Sequence, residues 1–232
     1  MSSVKSEKIK SGWLFSFGDM ITLLITFFIL MIVLNKGEIS KVQKWLEDDL
    51  DQVSIELTGQ FQDAIFVKVK RTSLGVEIDI NNDQAFVEGG FNPSEGLAKE
   101  LTLVGEELKK IPLLTEEQSK VLPAGVAYDA KKQGLNLRRE ISIAGYTDNA
   151  KINPESSLRN NWFLSTMRAE SVMQLLMESS GLPQKLFGIA GYGMYRPIAS
   201  NDTPDGRAKN RRVKIVITAN FTHQSKVEEK SS

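Results

Sequence analysis

The chain has 232 residues, 41% hydrophobic and 25% charged, and its 29 basic and 29 acidic side chains cancel. That length suits one full domain plus an accessory segment, and the balanced charge gives nucleic acid no electrostatic footing. No cysteine occurs, which excludes disulfides, thiolate metal sites and a cysteine nucleophile; the single His223 sits among Thr222, Gln224 and Ser225 and reads as a solvated side chain.

Residues 1–12 form a short polar tail. Trp13 to Leu34 follows with one charge, Asp19, in 22 residues. At 1.5 Å per residue this run covers roughly 33 Å as a helix, about one bilayer core, and it is too long for a signal-peptide core. It is read as an uncleaved transmembrane helix. Three lysines flank it on each side (Lys5, Lys8, Lys10 and Lys36, Lys41, Lys44), so charge alone does not orient it. Residues 35–63 come next. Ile39, Val42, Leu46, Leu50 and Val53 recur near a helical period between acidic and basic residues, which predicts an amphipathic helix, with 54–63 as a linker.

A folded domain is expected over 64–220. Phe66–Lys70 and Val76–Ile80 alternate as strands, and Leu97, Leu101, Val104, Leu108 and Ile111 form a helical stripe stopped by Pro112. Residues 113–137 read as an extended insertion. Glu140–Tyr146 is a strand, Trp162–Ser180 a helix stopped by Gly181 and Pro183, and 187–191 and 213–217 are strands. Residues 221–232 read as a mobile tail. The order β-β-α-β-α-β-β predicts an α/β domain with helices on one face of a mixed sheet.

Two groups of residues carry chemistry. A carboxylate inside a span costs about 2.5–3.5 kcal/mol on insertion scales, so Asp19 is expected to have a role. Ser16, Asp19, Thr22 and Thr26 share one helix face, a polar stripe suited to a protein partner. Asp19 can snorkel to the interface, bind a partner helix, or carry an ion. In the domain, Asp148 follows a strand and Arg168 lies in the next helix. They can clamp a zwitterion, Arg168 taking a carboxylate and Asp148 an ammonium, or they can simply pair with each other. No nucleophile–base pair, metal cluster or phosphate loop points to an enzyme or a cofactor, and the glycines of 188–193 are assigned to turns.

The blocks Gly145-Tyr146-Thr147-Asp148, Asn161 to Ala169, Gly191-Tyr192-Gly193 and Asn210-Arg211-Arg212-Val213 resemble the OmpA-like peptidoglycan-binding domain. The resemblance implies that Asp148 and Arg168 hold the diaminopimelate of the peptide stem, that Thr147, Asn161 and Leu164 shape the groove, and that Arg211 or Arg212, with Arg212 preferred, adds a donor. Trp13, then Phe17-Gly18-Asp19-Met20-Ile21-Thr22-Leu23-Leu24 and Thr26-Phe27-Phe28, resemble the span of MotB/PomB-type flagellar stator subunits.

That second resemblance implies an inner-membrane protein with its N-terminus in the cytoplasm and its domain in the periplasm. It implies a homodimer inside a pentameric ring of a MotA/PomA-type subunit, with Asp19 and Thr22 handling H⁺ or Na⁺ as the coupling ion. Ile39, Val42, Trp45, Leu46 and Leu50 then match the stator plug, although an ordinary surface or linker helix reads the same way. A related motor of antiphage or gliding type, or a passive wall anchor, shares the same layout.

Overall fold

The computed structural model describes residues 3–81, 83–153, 155 and 158–223, and the side chains of 3–12 and 35–40 fall outside that description. Two units divide the chain, Met1–Lys44 and Trp45–Ser232. A single helix, α1 (Ser3–Gln60), runs through the expected tail, span and amphipathic segment. Nothing in the stretch Trp13–Leu34 breaks it, since proline is absent and Gly18, its weakest helix former, stands alone. This is the one helix among the described residues long and apolar enough to cross a membrane.

The helix also continues through 54–60, where a linker was expected. Leu46, Leu50, Val53 and Leu57, and then Phe61 just past its end, are buried in one cluster with the domain core, and Trp45 packs against it. Spacings of four, three, four and four residues keep them on one face. The stripe therefore ends at 61 rather than 53. Its burial stabilises by about 1.5–3 kcal/mol per side chain, enough to hold the last turns helical. The side chain of Ile39 lies outside the described residues; Val42 stands one turn before Leu46.

The domain is a five-stranded sheet in the order β1-β2-β5-β3-β4, with β1 Val67–Thr72, β2 Gly75–Ile80, β3 Leu135–Tyr146, β4 Phe187–Gly191 and β5 Arg212–His223. Only β3 and β4 pair in parallel, joined through α6 (Asn161–Ser180); β1–β2, β2–β5 and β5–β3 are antiparallel. The sheet is thus mixed, as expected. Alternation sends Ile78, Ile80, Ile141, Ile143, Ile215 and Ile217 into the core against Leu97, Leu101 and Leu108 of α2 (Glu95–Leu108) and Leu176 of α6. Their neighbours turn the other way. Glu77 and Asp79 meet Lys70 at 2.8 and 2.5 Å, and Lys214 reaches Glu77 at 2.5 Å. Burial alone would raise the Glu77 carboxyl, but the two lysines outweigh it and hold it below the usual range. On β1, Arg71 pairs with Asp51 of α1 at 2.7 Å and with Glu47.

Residues 113–137 are not extended. They form α3 (Pro112–Thr115), α4 (Gln118–Val121) and α5 (Ala124–Lys132) before β3 begins at Leu135. Pro112 opens α3, Pro123 caps α5, and Gly134 turns the chain at φ 65°. α3 and α4, of four residues each, are too short to show a period in sequence, and α5 buries only Ala130 and so shows no apolar stripe. A further helix, α7 (Pro204–Asn210), precedes β5. Strand β5 also takes in 221–223, assigned to the tail, through pairing of Phe221 and His223 with Leu137 and Leu135; residues 224–232 lie outside the described residues.

Helix α6 crosses β3 closely. A Cβ on Gly145 would sit 1.9 Å from the Ser165 carbonyl oxygen. That atom is backbone and cannot swing aside. Gly145→Ala is expected to destabilise the domain by about 3 kcal/mol or more, lowering the melting temperature by roughly 6–12 °C. Thermal unfolding of the variant beside the parent measures this, and an unchanged transition would contradict the close crossing.

Candidate functional site: a charged cleft and an intramembrane carboxylate

The end of β3, the first half of α6 and the loop after β2 converge. Asn160 caps α6, its side chain accepting from the Phe163 N–H at 2.9 Å, and so sets the helix start. Two turns on, Arg168 donates from Nε and Nη2 to the Gly90 carbonyl at 3.1 and 3.0 Å, and its guanidinium lies 4.9 Å from the Phe86 ring centre. Burial, reinforced by the nearby charge of Arg211 and partly opposed by Asp148, pushes its pKa down to about 10. It is still a cation at neutral pH.

Arg211 enters from the single residue between α7 and β5. Its Nη1 donates to Asp148 Oδ2 at 2.7 Å and its Nη2 to Asp83 Oδ1 at 2.5 Å. Burial works against its charge, but these two carboxylates outweigh it and raise the pKa. Asp148 Oδ1 accepts from the Ala150 N–H at 3.0 Å. A cleft of about 610 Å³ opens between Arg168 and Arg211 on one side and the 83–89 loop on the other, with Asp83, Phe86 and Glu88 in its wall. Two guanidiniums facing carboxylates at short range can receive a group carrying both a carboxylate and an ammonium.

The expected site residues divide. Asp148 and Arg168 do come to one place, but Asp148 is ion-paired to Arg211 and Arg168 is held by the Gly90 carbonyl. Thr147 is buried beside them; its N–H donates to the Gly193 carbonyl at 2.9 Å, and its hydroxyl is buried with no hydrogen-bond partner among the described residues. Asn161 holds the loop, donating to the Ala150 carbonyl at 2.9 Å, and Leu164 is buried. Arg212 is a correction. As the first residue of β5 it stands opposite Tyr146, its guanidinium 3.8 Å from that ring centre and its Nη2 on the Arg196 carbonyl at 3.0 Å. Adjacent residues entering a strand point to opposite faces, so Arg211 reaches the cleft and Arg212 does not. Asp83 was missed. The only signal for it was the polar run Asn81-Asn82-Asp83 just past a strand.

In the span, the Trp13–Leu34 side chains are exposed on the isolated chain. The Thr22 hydroxyl donates to the Asp19 carbonyl at 2.8 Å, and Thr26 repeats this to Leu23 at 2.9 Å. With its proton so committed, Thr22 has only oxygen lone pairs to offer a cation near Asp19.

Comparison with known proteins adds to this geometry. Residues 112–211 match the OmpA family, and residues 2–48 match the family described as membrane MotB of the proton-channel complex MotA/MotB. Motility protein B of Bacillus subtilis is 29% identical over 245 aligned positions, covering 92% of each chain. Peptidoglycan-binding protein ArfA of Mycobacterium tuberculosis is 44% identical over 77 residues, 33% of this chain and 22% of that one. The crystal structure of a MotB-like protein from Desulfovibrio vulgaris superposes with a TM-score of 0.56 at 18% identity, covering 79% of this chain and 99% of that one, a likeness of fold.

Proposed function

The chain belongs to the MotB family, a membrane segment joined to an OmpA-type domain, and on that premise we propose that it is the wall-anchored stator subunit of an ion-driven flagellar motor. The family is one of structural, wall-binding proteins and not of enzymes. One observation carries the reading. A lone intramembrane carboxylate, Asp19, stands on the same chain as a cleft that sets Arg168 and Arg211 against Asp83 and Asp148.

In this reading the N-terminus is cytoplasmic and the domain periplasmic. Two copies sit within a pentameric ring of a MotA/PomA-type subunit. The cleft takes the zwitterionic end of a peptidoglycan stem, the guanidiniums holding its carboxylate and the aspartates its ammonium. Held by the wall, the dimer resists rotation while H⁺ or Na⁺ binds to and leaves Asp19, and the ring turns. Thr22 supplies an oxygen beside the ion. Recording swimming speed with and without sodium, in cells that depend on this chain, identifies the ion: sodium-dependent speed means Na⁺, and sodium-independent speed means H⁺. Cells that do not swim under either condition would count against the motor itself.

The segment 39–53 is read as the plug, with Leu46 and Leu50 anchoring its C-terminal end in the domain core. Removing all of 39–53 would also strip that core. Removing 38–44, close to two helical turns, spares it and nearly preserves helix register. With the partner co-expressed, this deletion is expected to leak the coupling ion and slow growth several-fold. Normal growth and an undisturbed internal ion concentration would count against a plug.

A further inference from the structure

We propose that residues 87–92 form a strap over the charged cleft, held shut by Arg168 and Ser171, and that a ligand carboxylate opens it by taking Arg168 from the Gly90 carbonyl. The proposal rests on the peptidoglycan reading above and deepens it by naming how that site is regulated.

Between β2 and α2 the chain folds back on itself. Phe86 bridges Pro93, the Ser94 N–H donates to the Ala85 carbonyl at 2.8 Å, and the Val87 N–H donates to the Asn92 carbonyl at 2.9 Å, which closes the neck of the loop. Gly89 turns the tip at φ 65°. Val87, Glu88 and Gly89 are all exposed, so core packing does not hold that tip. Helix α6 holds the strap instead. Arg168 places both Nε and Nη2 on the Gly90 carbonyl, and the Ser171 hydroxyl donates to the Phe91 carbonyl at 2.8 Å. The two residues stand three apart and so share one face of the helix.

The tie at Arg168 is the one a ligand can break. Arg168 is a mostly buried cation, and among the described residues no carboxylate pairs with it, since Asp83 and Asp148 are both taken by Arg211. The Gly90 carbonyl is a neutral acceptor with one oxygen. A carboxylate brings full opposite charge and two oxygens that match the guanidinium fork. The Nε and Nη2 edge that now faces Gly90 is an edge that such a fork takes, so the carbonyl and the ligand compete for the same donors. Once Arg168 turns to the ligand, Ser171 alone links the strap to α6 among the described residues. A shut strap lowers apparent affinity by the fraction of molecules that are open, and it selects for ligands that carry a carboxylate able to displace the carbonyl.

Two measurements on the full chain in detergent micelles test this, both with a soluble diaminopimelate-containing stem peptide. Ser171 lies outside the cleft lining, and Ser171→Ala removes the strap's second tie. By calorimetry this variant is expected to bind the peptide about twofold to tenfold more tightly than the parent, the effect of one hydrogen bond lost from the shut state. Equal or weaker binding by folded Ser171→Ala overturns the strap, because a fixed wall gains nothing from losing a support. The chain has no cysteine, so a nitroxide on Asn92→Cys, at an exposed position of the strap, reports its motion alone. Saturating peptide should sharpen the electron paramagnetic resonance spectrum. A spectrum that stays the same or broadens overturns the proposal, even where Ser171→Ala fails to fold. A parent that sediments with purified sacculi but ignores the stem peptide overturns the strap and moves wall binding to another surface. A parent that binds neither overturns the wall-binding reading together with this one.

Discussion

Asp19→Asn is expected to leave the protein in the membrane, assembled and bound to the wall, while rotation stops. The substitution keeps the size and most of the hydrogen-bonding capacity of the side chain, so packing in the span should hold. It removes the group that can exchange a cation. Asn is permanently neutral and offers no charge for H⁺ or Na⁺ to compensate. Thr22 cannot replace it, because its hydroxyl is neutral and does not ionise near neutral pH, so it carries no charge for the ion to balance. Torque on a tethered cell should fall below detection, while the amounts of membrane protein and of protein sedimenting with sacculi stay at parental levels. Asp19→Glu, which restores a carboxylate one methylene further out, should recover part of the torque. Full rotation in the Asn variant would reduce the chain to a passive tether.

Arg168→Ala carries the second large effect. Arg168 is a mostly buried cation whose donors meet the Gly90 carbonyl and whose plane covers Phe86, so it both faces the cleft and holds the loop that walls it. Truncating one partner of a buried, hydrogen-bonded charge pair costs about 2–5 kcal/mol of binding, or roughly 30-fold and upward in affinity. Sedimentation with purified sacculi should show that loss. Arg168→Lys separates charge from geometry: it keeps the positive charge but loses the planar fork, and an intermediate affinity is expected. Asp148→Ala should also weaken binding, in part because it removes a carboxylate partner of Arg211. If folded Arg168→Ala protein sediments as the parent does, the cleft is not where the wall binds.

Both effects depend on residues that differ in how visible they were in sequence. Asp19 needed only its neighbours: a charge in an unbroken apolar run stands out without any structure. The strands and the two long helices were equally plain, because periods of two and of about 3.6 residues are written along the chain, and so were stops such as Gly181, which takes φ 66° at the end of α6. The one-turn helices α3 and α4 were not visible, nor was the extension of the α1 stripe to Leu57 and Phe61, where too few apolar residues remained to reveal a period.

The cleft shows the limit more sharply. Asp83 and Arg211 are 128 positions apart and meet at 2.5 Å; Arg168 and Gly90 are 78 apart. Read alone, the chain determined that a membrane span bearing one acid precedes an α/β domain, and that Asp148 and Arg168 lie at the ends of elements where a site can form. Only the folded sheet decided which of two adjacent arginines enters that site, because facing is set by where β5 begins and what it pairs with. Tertiary structure likewise decided that Arg168 and Ser171 of α6 take hold of a loop at Gly90 and Phe91. Local spacing fixes the direction of a side chain within its own element, whereas the meeting of side chains from distant elements depends on how those elements pack.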